Sequence, residues 1–246
     1  MNRPDIKLIA LDMDGTLLNE HHEVSEENRE AIRKAEEKGV KVVLSTGRSL
    51  KTARDYVLSL ELSSYLVTVN GGEIWGPDGK LVEKNPVATE HIQWMYDLSK
   101  EHKAKFWAIS SQNNWNNSMP DDILSEEWLK FGFHIEEDEI RESVLQELKD
   151  KGLFEISNSS LKNIEVNAIG INKAKGLEKV CARLGISMGN VMSVGDSLND
   201  IAMITEAGLG IAMGNAQQAV KEAADDVTGT NTESGVAQAI NKWVLS

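Results

Sequence analysis

The sequence predicts an α/β fold: a doubly wound, Rossmann-like parallel sheet with a smaller α/β cap domain inserted into it. Three observations predict it. Segments of strand and helix character alternate over residues 6–72, the pattern that builds a parallel sheet. That rhythm breaks between about residues 84 and 172, where the chain is more polar and aromatic and carries Trp94, Trp107, Trp115 and Trp128, four of its six tryptophans. It then resumes and runs to the C-terminus. The expected division is a core formed by residues 1–83 and 173–246, interrupted by a cap at 84–172.

Each element has its own signal. The apolar run Ile6–Leu11 reads as a buried strand. "VSEENREAIRKAEEKG" reads as a helix with Ser25 as N-cap and Gly39 as its stop. "VKVVLSTGR" is a β-branched second strand, and "LKTARDYVLSL" puts Leu50, Ala53, Val57 and Leu60 on one helical face. "YLVTVNGG" gives a third strand and "GEIWGPDGKLVEK" a hairpin turning at "PDG". Within the insert, helices are expected at 89–102 and 136–151, and "SSQNNWNNSMPDD" reads as a loop. "NKAKGLEKVCARLG" is a helix with Leu177, Val180 and Leu184 inward and Gly185 at its end. "NVMSVGD", "SLNDIAMITEAG", "LGIAMGNA" and "AQQAVKEAAD" follow as strand, helix, strand with turn, and helix; the remaining residues close the fold.

Composition narrows the function. With 246 residues, 41% of them hydrophobic and 26% charged, the chain has the make-up of a soluble enzyme. A net charge of −13 argues against a general binder of nucleic acid or anionic membrane, so any anionic substrate must be held by local cations. No apolar run is long enough to span a bilayer, and "MNRPDIKLIAL" does not read as a leader peptide. The single cysteine, Cys181, suits a reducing cytoplasm and reads as core filling.

The chemistry gathers at strand ends. In a doubly wound sheet, ligands bind beyond the carboxyl ends of the strands. The first strand ends in Asp12 and Asp14, the second in Ser45, Thr46, Gly47 and Arg48, and the third in Asn70, Gly71 and Gly72. The strand at 191–195 ends in Gly195 and Asp196, with Ser197, Asn199 and Asp200 just behind. Four carboxylates on one rim repel one another and need a cation. An oxygen-only set points to a hard ion, magnesium before calcium. Such an ion attracts phosphate, so the expected partner is a small phosphorylated metabolite. Alone, Asp12 and Asp14 would read as a helix cap and a turn acid; the other three rim motifs turn the balance to catalysis. Arg48 reads equally as a surface ion pair or a substrate contact. Asn70 is expected to shape the Gly71–Gly72 turn, with a side role in lining the site. His21 and His22 read as exposed. The tryptophans of the insert read as packing, with Trp115 the candidate to stack on a substrate ring because amides flank it.

The motifs "DMDGT", "LSTGR", "NKAKG" and "GDSLND", in that order, resemble the haloacid dehalogenase superfamily, and most closely its Cof-type branch of cytoplasmic phosphatases. "AMGNA", "VKEAADDVT" and "SGVAQAI" extend the resemblance, which covers most of residues 6–85 and 164–240. It implies that Asp12 is the nucleophile, forming an aspartyl-phosphate. Asp14 would be the general acid, and afterwards the base. Asp12, the Asp14 carbonyl and Asp196 would hold Mg2+, with Asp200 holding the metal's water shell or steadying a lysine. Gly15 would allow the sharp turn and Thr16 would tie it down. Thr46, with Gly47 and Arg48 beside it, and Asn199 would contact the phosphoryl group. Lys173 would neutralise charge there; Ala174 stands where members of the family often carry glycine, which leaves Lys175 as the alternative lysine. The cap would close over the rim, exclude water and choose the substrate. The activity implied is hydrolysis of a sugar phosphate or phosphorylated cofactor. A phosphomutase of the same superfamily or a non-catalytic phospho-ligand module are the rivals; a dehalogenase has no use for Asp14. The sequence does not choose between monomer and homodimer.

Overall fold

Strand β1 (Leu8–Leu11) is buried at every position, as its unbroken apolar run requires. The computed structural model describes residues 5–246; residues 1–4, the start of the stretch read for a leader, lie outside it. Helix α1 (Glu26–Glu37) begins where Ser25 Oγ accepts the Asn28 backbone N–H, and the chain leaves it through Gly39 at φ +85°. β2 (Lys41–Ser45), α2 (Leu50–Ser59) and β3 (Leu66–Thr68) complete the first alternation. A short hairpin, β4 (Glu73–Trp75) and β5 (Leu81–Lys84), follows.

The next stretch folds on a second sheet. It comprises α3 (Thr89–Glu101), β6 (Lys105–Ser110), β7 (Asn114–Asn116), β8 (Trp128–His134), α4 (Asp138–Lys151), β9 (Phe154–Ser157) and β10 (Asn163–Ala168). The chain then returns through α5 (Lys173–Leu184), β11 (Val191–Gly195), α6 (Ile201–Glu206), β12 (Leu209–Ala212), α7 (Gln218–Ala223), β13 (Asp226–Val227) and α8 (Gly235–Ile240).

The first sheet has eight strands in the order β13-β12-β11-β1-β2-β3-β4-β5. Its first six are parallel, and the β4–β5 hairpin adds an antiparallel edge. The chain winds from β1 to β3 in one direction and from β11 to β13 in the other. β1 and β11 are neighbours, so the direction reverses between them, and a crevice opens beyond their carboxyl ends.

The second sheet is antiparallel, in the order β7-β6-β8-β10-β9. Alternation divides it into two faces. Phe106, Ala108, Phe131, Phe133, Ile164 and Val166 pack under α3 and α4 with Ile92, Met95, Leu98, Val144 and Leu148. The register puts Trp107, Ile109, Lys130, Gly132 and Glu165 on the other face. That face meets the carboxyl ends of the first sheet: Lys130 Nζ donates to the Gly47 carbonyl at 3.0 Å, and Asn167 Nδ2 to that of Val69 at 2.9 Å.

Two local expectations need correcting. The "NNWNN" stretch contains strand β7, not only loop. Its polar residues fit an edge strand with solvent on its outer side, and Trp115 anchors it to the aromatic core. The segment after Asp196 starts as a 3-10 turn at Leu198–Asp200 before becoming helix. The Asp200 carboxylate folds back there to accept the Asp196 and Ser197 backbone N–H groups at 2.9 and 3.0 Å, which tightens the first turn.

Candidate active site at the switch point of the sheet

Asp12 is the first residue past β1, and its backbone N–H still pairs with the Val194 carbonyl of β11. Its carboxylate is buried at the reversal of strand order. Lys173, first residue of α5, is fully buried; its Nζ donates to Asp12 Oδ1 at 2.5 Å and Asp200 Oδ1 at 2.7 Å. Lys175 points elsewhere, pairing with Glu178 and Glu206 at the surface. Geometry thus separates the two lysines that sequence left as alternatives. α5 is aimed by its cap, Asn172, whose Oδ1 accepts the Lys175 N–H.

Asp196 is the first residue past β11, as Asp12 is past β1. Its carboxylate accepts Thr16 Oγ1 at 3.1 Å and Ser197 Oγ at 2.9 Å. Gly15 stands against it at φ +81°, and a Cβ there would sit 2.6 Å from Asp196 Oδ2. The turn after Asp14 therefore needs glycine twice over, for its backbone angle and for the space.

Oxygens of Asp12, Asp196 and Asp200 lie within 4.8 Å of one another. One lysine faces these three carboxylates, leaving two negative charges uncompensated. The electrostatics carry that mark. Burial, with help from Asp200 and Asp196, holds the Asp12 carboxyl well above the usual range despite Lys173. Burial and Asp200 push Asp196 up to about 6. Burial pulls the Lys173 ammonium toward neutrality, but Asp12 and Asp200 more than reverse this and keep it charged. A buried, oxygen-only cluster short of two positive charges fits a hard divalent cation. Each Asp196 oxygen accepts a single hydroxyl, whereas Asp200 is held by the Lys173 ammonium on one oxygen and by two backbone N–H groups on the other, which suits Asp200 to holding its neighbours in place.

Asp14 faces outward, its side chain 45% exposed, and Arg48 grips it in a two-pronged ion pair with contacts of 2.7 and 2.5 Å. That bond holds the guanidinium firmly in its charged form. His22 is exposed, as expected, yet it adjoins this pair, with Nδ1 3.3 Å from Arg48 Nη2. Thr46 is buried, and its Oγ1 accepts the Arg48 N–H at 3.2 Å. Asn199 Nδ2 donates to Asn70 Oδ1 at 3.3 Å. Asn70 itself, at φ +57°, reaches across to Glu165 Oε2 at 2.6 Å.

Above Asp12 lies a cavity of about 250 Å³ between the two sheets. Asp12, Asp14, Gly47, Arg48, Ser197 and Asn199 form its floor. Trp107, Ile109, Asn114, Lys130 and Glu165 come from the other sheet, and Ser159 from the connection between β9 and β10. Thr46 is absent from this lining. So is Trp115, which packs into the aromatic core instead; the tryptophan at the cavity is Trp107. Sequence reasoning also missed Lys130 and Glu165, a buried ion pair at 2.8 Å. Their signal was present: a lysine inside "WLKFGFH" and a glutamate inside "NIEVNA" are opposite charges within otherwise core-forming strands, where charges are rarely buried unless paired.

A family profile described as "haloacid dehalogenase-like hydrolase" matches residues 9–126 and 116–240. The chain is 59% identical to the 5-amino-6-(5-phospho-D-ribitylamino)uracil phosphatase YcsE of Bacillus subtilis, over 98% of this chain and 97% of that protein. It is 31% identical to a phosphoglycolate phosphatase of Methanobrevibacter smithii, over 98% and 100%. Among solved structures, a haloacid dehalogenase-like hydrolase from B. subtilis superposes with a TM-score of 0.89 at 25% identity, covering 96% of this chain and 99% of that one. A sugar phosphatase of HAD subclass IIB does so at 0.83 and 25%, covering 98% and 100%. Among the described residues no helix is long and apolar enough to cross a membrane. With its motifs set around one buried carboxylate cluster, and with such relatives along its whole length, the chain belongs to the haloacid dehalogenase-like hydrolases and is a phosphatase of that family.

Proposed function

We propose that this phosphatase is magnesium-dependent and hydrolyses 5-amino-6-(5-phospho-D-ribitylamino)uracil, the compound in the name of its 59% identical relative. The observation that carries the mechanism is the buried Asp12–Lys173 contact at the foot of the cavity. It leaves Asp12 beside the space a phosphoryl group would fill, with a fixed cation next to it.

In this reading Asp12 Oδ attacks phosphorus. A bond forms between phosphorus and the carboxylate oxygen, and the bond from phosphorus to the ribityl oxygen breaks. Asp14, on the rim of the cavity, gives a proton to the departing alkoxide. Water then attacks the phosphorus of the aspartyl-phosphate, Asp14 takes a proton from it, and inorganic phosphate leaves with the Asp12 carboxylate restored. Lys173 offsets the charge that gathers on the phosphoryl oxygens, and Asp200 holds Lys173 in line. Asn199, with Gly47 and Arg48 on the rim and Thr46 beneath it, orients the phosphate. Magnesium held by Asp12, Asp196 and the Asp14 carbonyl would supply screening between two anions that otherwise repel. Residues 84–172 act as a cap whose open face covers the cavity and keeps bulk water from the intermediate.

A panel of phosphorylated metabolites assayed with magnesium tests the reading. The highest kcat/KM should fall on the ribitylaminouracil phosphate, with release of free phosphate. A preference for phosphoglycolate or a simple sugar phosphate would overturn the substrate, and an isomerised phosphate ester in place of free phosphate would overturn the reaction.

A further inference from the structure

The second sheet presents one aromatic side chain to the cavity, and the strand beside it is built to hold that side chain. Trp107 on β6 pairs in register with Gly132 on β8, and Gly132 in turn with Glu165 on β10. A Cβ at Gly132 would lie 2.2 Å from both Cε2 and Cζ2 of Trp107 and 2.7 Å from Cη2. The indole therefore lies over the bare Cα of Gly132, leaning along the row toward Glu165. Any other residue at 132 would lift it away. The backbone angle at Gly132 does not call for glycine, so space for the ring is what the position supplies.

The other tryptophans of this region are used differently. Trp128 is 1% exposed and its Nε1 donates to the Ile123 carbonyl. Trp94 stacks on Phe154 at 6.0 Å and 11°. Trp115 packs into the aromatic core. Trp107 packs against Val69, Ile109 and Leu129 yet is partly exposed and lines the cavity; its indole N–H, like the buried one of Trp115, has no hydrogen-bond partner among the described residues. Polar groups share the cavity lining with it. Lys130 spends donors on Gly47 and Glu165, while an ammonium has three; Asn114 and Ser49, bonded to each other at 3.0 Å, also line the cavity.

We propose that Trp107, seated on Gly132, is the platform on which the planar ring of the substrate's leaving group stacks, and that it sets the preference for ring-bearing phosphates. The proposal deepens the reading above, since it rests on a phosphate ester whose alcohol carries a flat heterocycle. Stacking on an aromatic face is favourable for any planar base, and the cavity, at the small end of ligand sites, admits a metabolite and not a polymer.

The test compares two substrate pairs that differ only by a ring: the ribitylaminouracil phosphate against ribitol 5-phosphate, and uridine 5′-monophosphate against ribose 5-phosphate. For each pair the ratio of kcat/KM, ring over no ring, is measured in the wild type, Trp107→Leu, Trp107→Phe and Gly132→Ala. The ratio should fall about tenfold or more in Trp107→Leu, mainly through KM, and stay within about threefold in Trp107→Phe. Gly132→Ala should reproduce the loss with Trp107 still present, which also covers the case in which Trp107→Leu folds poorly. An unchanged ratio in Gly132→Ala and in whichever Trp107 variants fold, or a wild type indifferent to the ring in both pairs, overturns the platform. A wild type that ignores the ribitylaminouracil phosphate but favours uridine monophosphate through Trp107 overturns the substrate and keeps the platform.

Discussion

At the scale of single residues, Asp12 and Asp14 show how two acids two positions apart acquire different chemistry. Asp12 is buried against Lys173, and Asp14 is exposed in the grip of Arg48. If Asp14 protonates the leaving group, Asp14→Asn should cost about 10² to 10⁴ in kcat/KM, which reports the phosphorylation step alone, on alkyl phosphates and far less on p-nitrophenyl phosphate, whose phenolate departs without a proton. Equal losses on both would count against that role. Lys173 carries a different prediction. Replacing it by Met strands two buried carboxylates, so Lys173→Met should lose about 3–5 kcal/mol of stability in urea denaturation. Lys175→Met, at a surface pair, should stay within about 0.5 kcal/mol. The reverse order would overturn the assignment of the site lysine. Asp12, Asp14 and Asp196 drew attention because each follows a strand whose end meets the others, while Lys173, at the start of α5, came from the family resemblance. Trp107 was not legible. "NNWNN" drew attention to the wrong tryptophan, since flanking amides are a local signal, while the contact of Trp107 with the cavity depends on its pairing with Gly132, 25 positions on.

At the scale of elements, the site depends on how closely α5 approaches the first sheet. Gly176 packs against β3, and a Cβ there would lie 2.6 Å from Val67 Cγ1 and 3.3 Å from the Gly71 Cα. Gly176→Ala should push the helix outward, cost about 1–3 kcal/mol and lower kcat, because the same helix carries Lys173. Denaturation and steady-state kinetics on the one variant check both; a variant as stable and active as the wild type would contradict the coupling. The turn after β3 is held under tension as well. Val69 has φ +53°, costly for a β-branched residue, and its carbonyl is secured by Asn167 Nδ2 from the second sheet. The helices and strands of the core were readable from period and caps. Strand β7 was not, because an edge strand of three polar-flanked residues has too little alternation to stand out from a loop. The 3-10 start after Asp196 escaped for another reason: it is imposed by the Asp200 side chain, not by backbone preference.

At the scale of the molecule, a chain of net charge −13 must attract a phosphate ester. Lys173 below the cavity, Arg48 at its rim and Lys130 above it are each paired with a carboxylate, so these cations alone do not make the site attractive to an anion. The carboxylate cluster still lacks two positive charges, which predicts a response of the whole fold to magnesium. Thermal unfolding should shift upward with added magnesium, as mass action on the native state requires, and Asp196→Asn should remove the shift. A wild-type unfolding temperature indifferent to magnesium would contradict the metal site. The insertion of a second α/β unit was foreseen, but not the residues on its open face, because that face is defined only once five strands are in register.

The central claim is that Asp12 becomes covalently phosphorylated. It is tested most directly by mixing Asp14→Asn with p-nitrophenyl phosphate and magnesium, quenching in acid and mapping the protein by mass spectrometry. This variant keeps the nucleophile but lacks the base that clears the intermediate. The account predicts one added phosphoryl group on the peptide containing Asp12, abolished in the Asp12→Asn/Asp14→Asn double variant. Steady release of nitrophenol by Asp14→Asn with no phosphorylated peptide at any quench time, and inversion of configuration at phosphorus in the wild type, would contradict it.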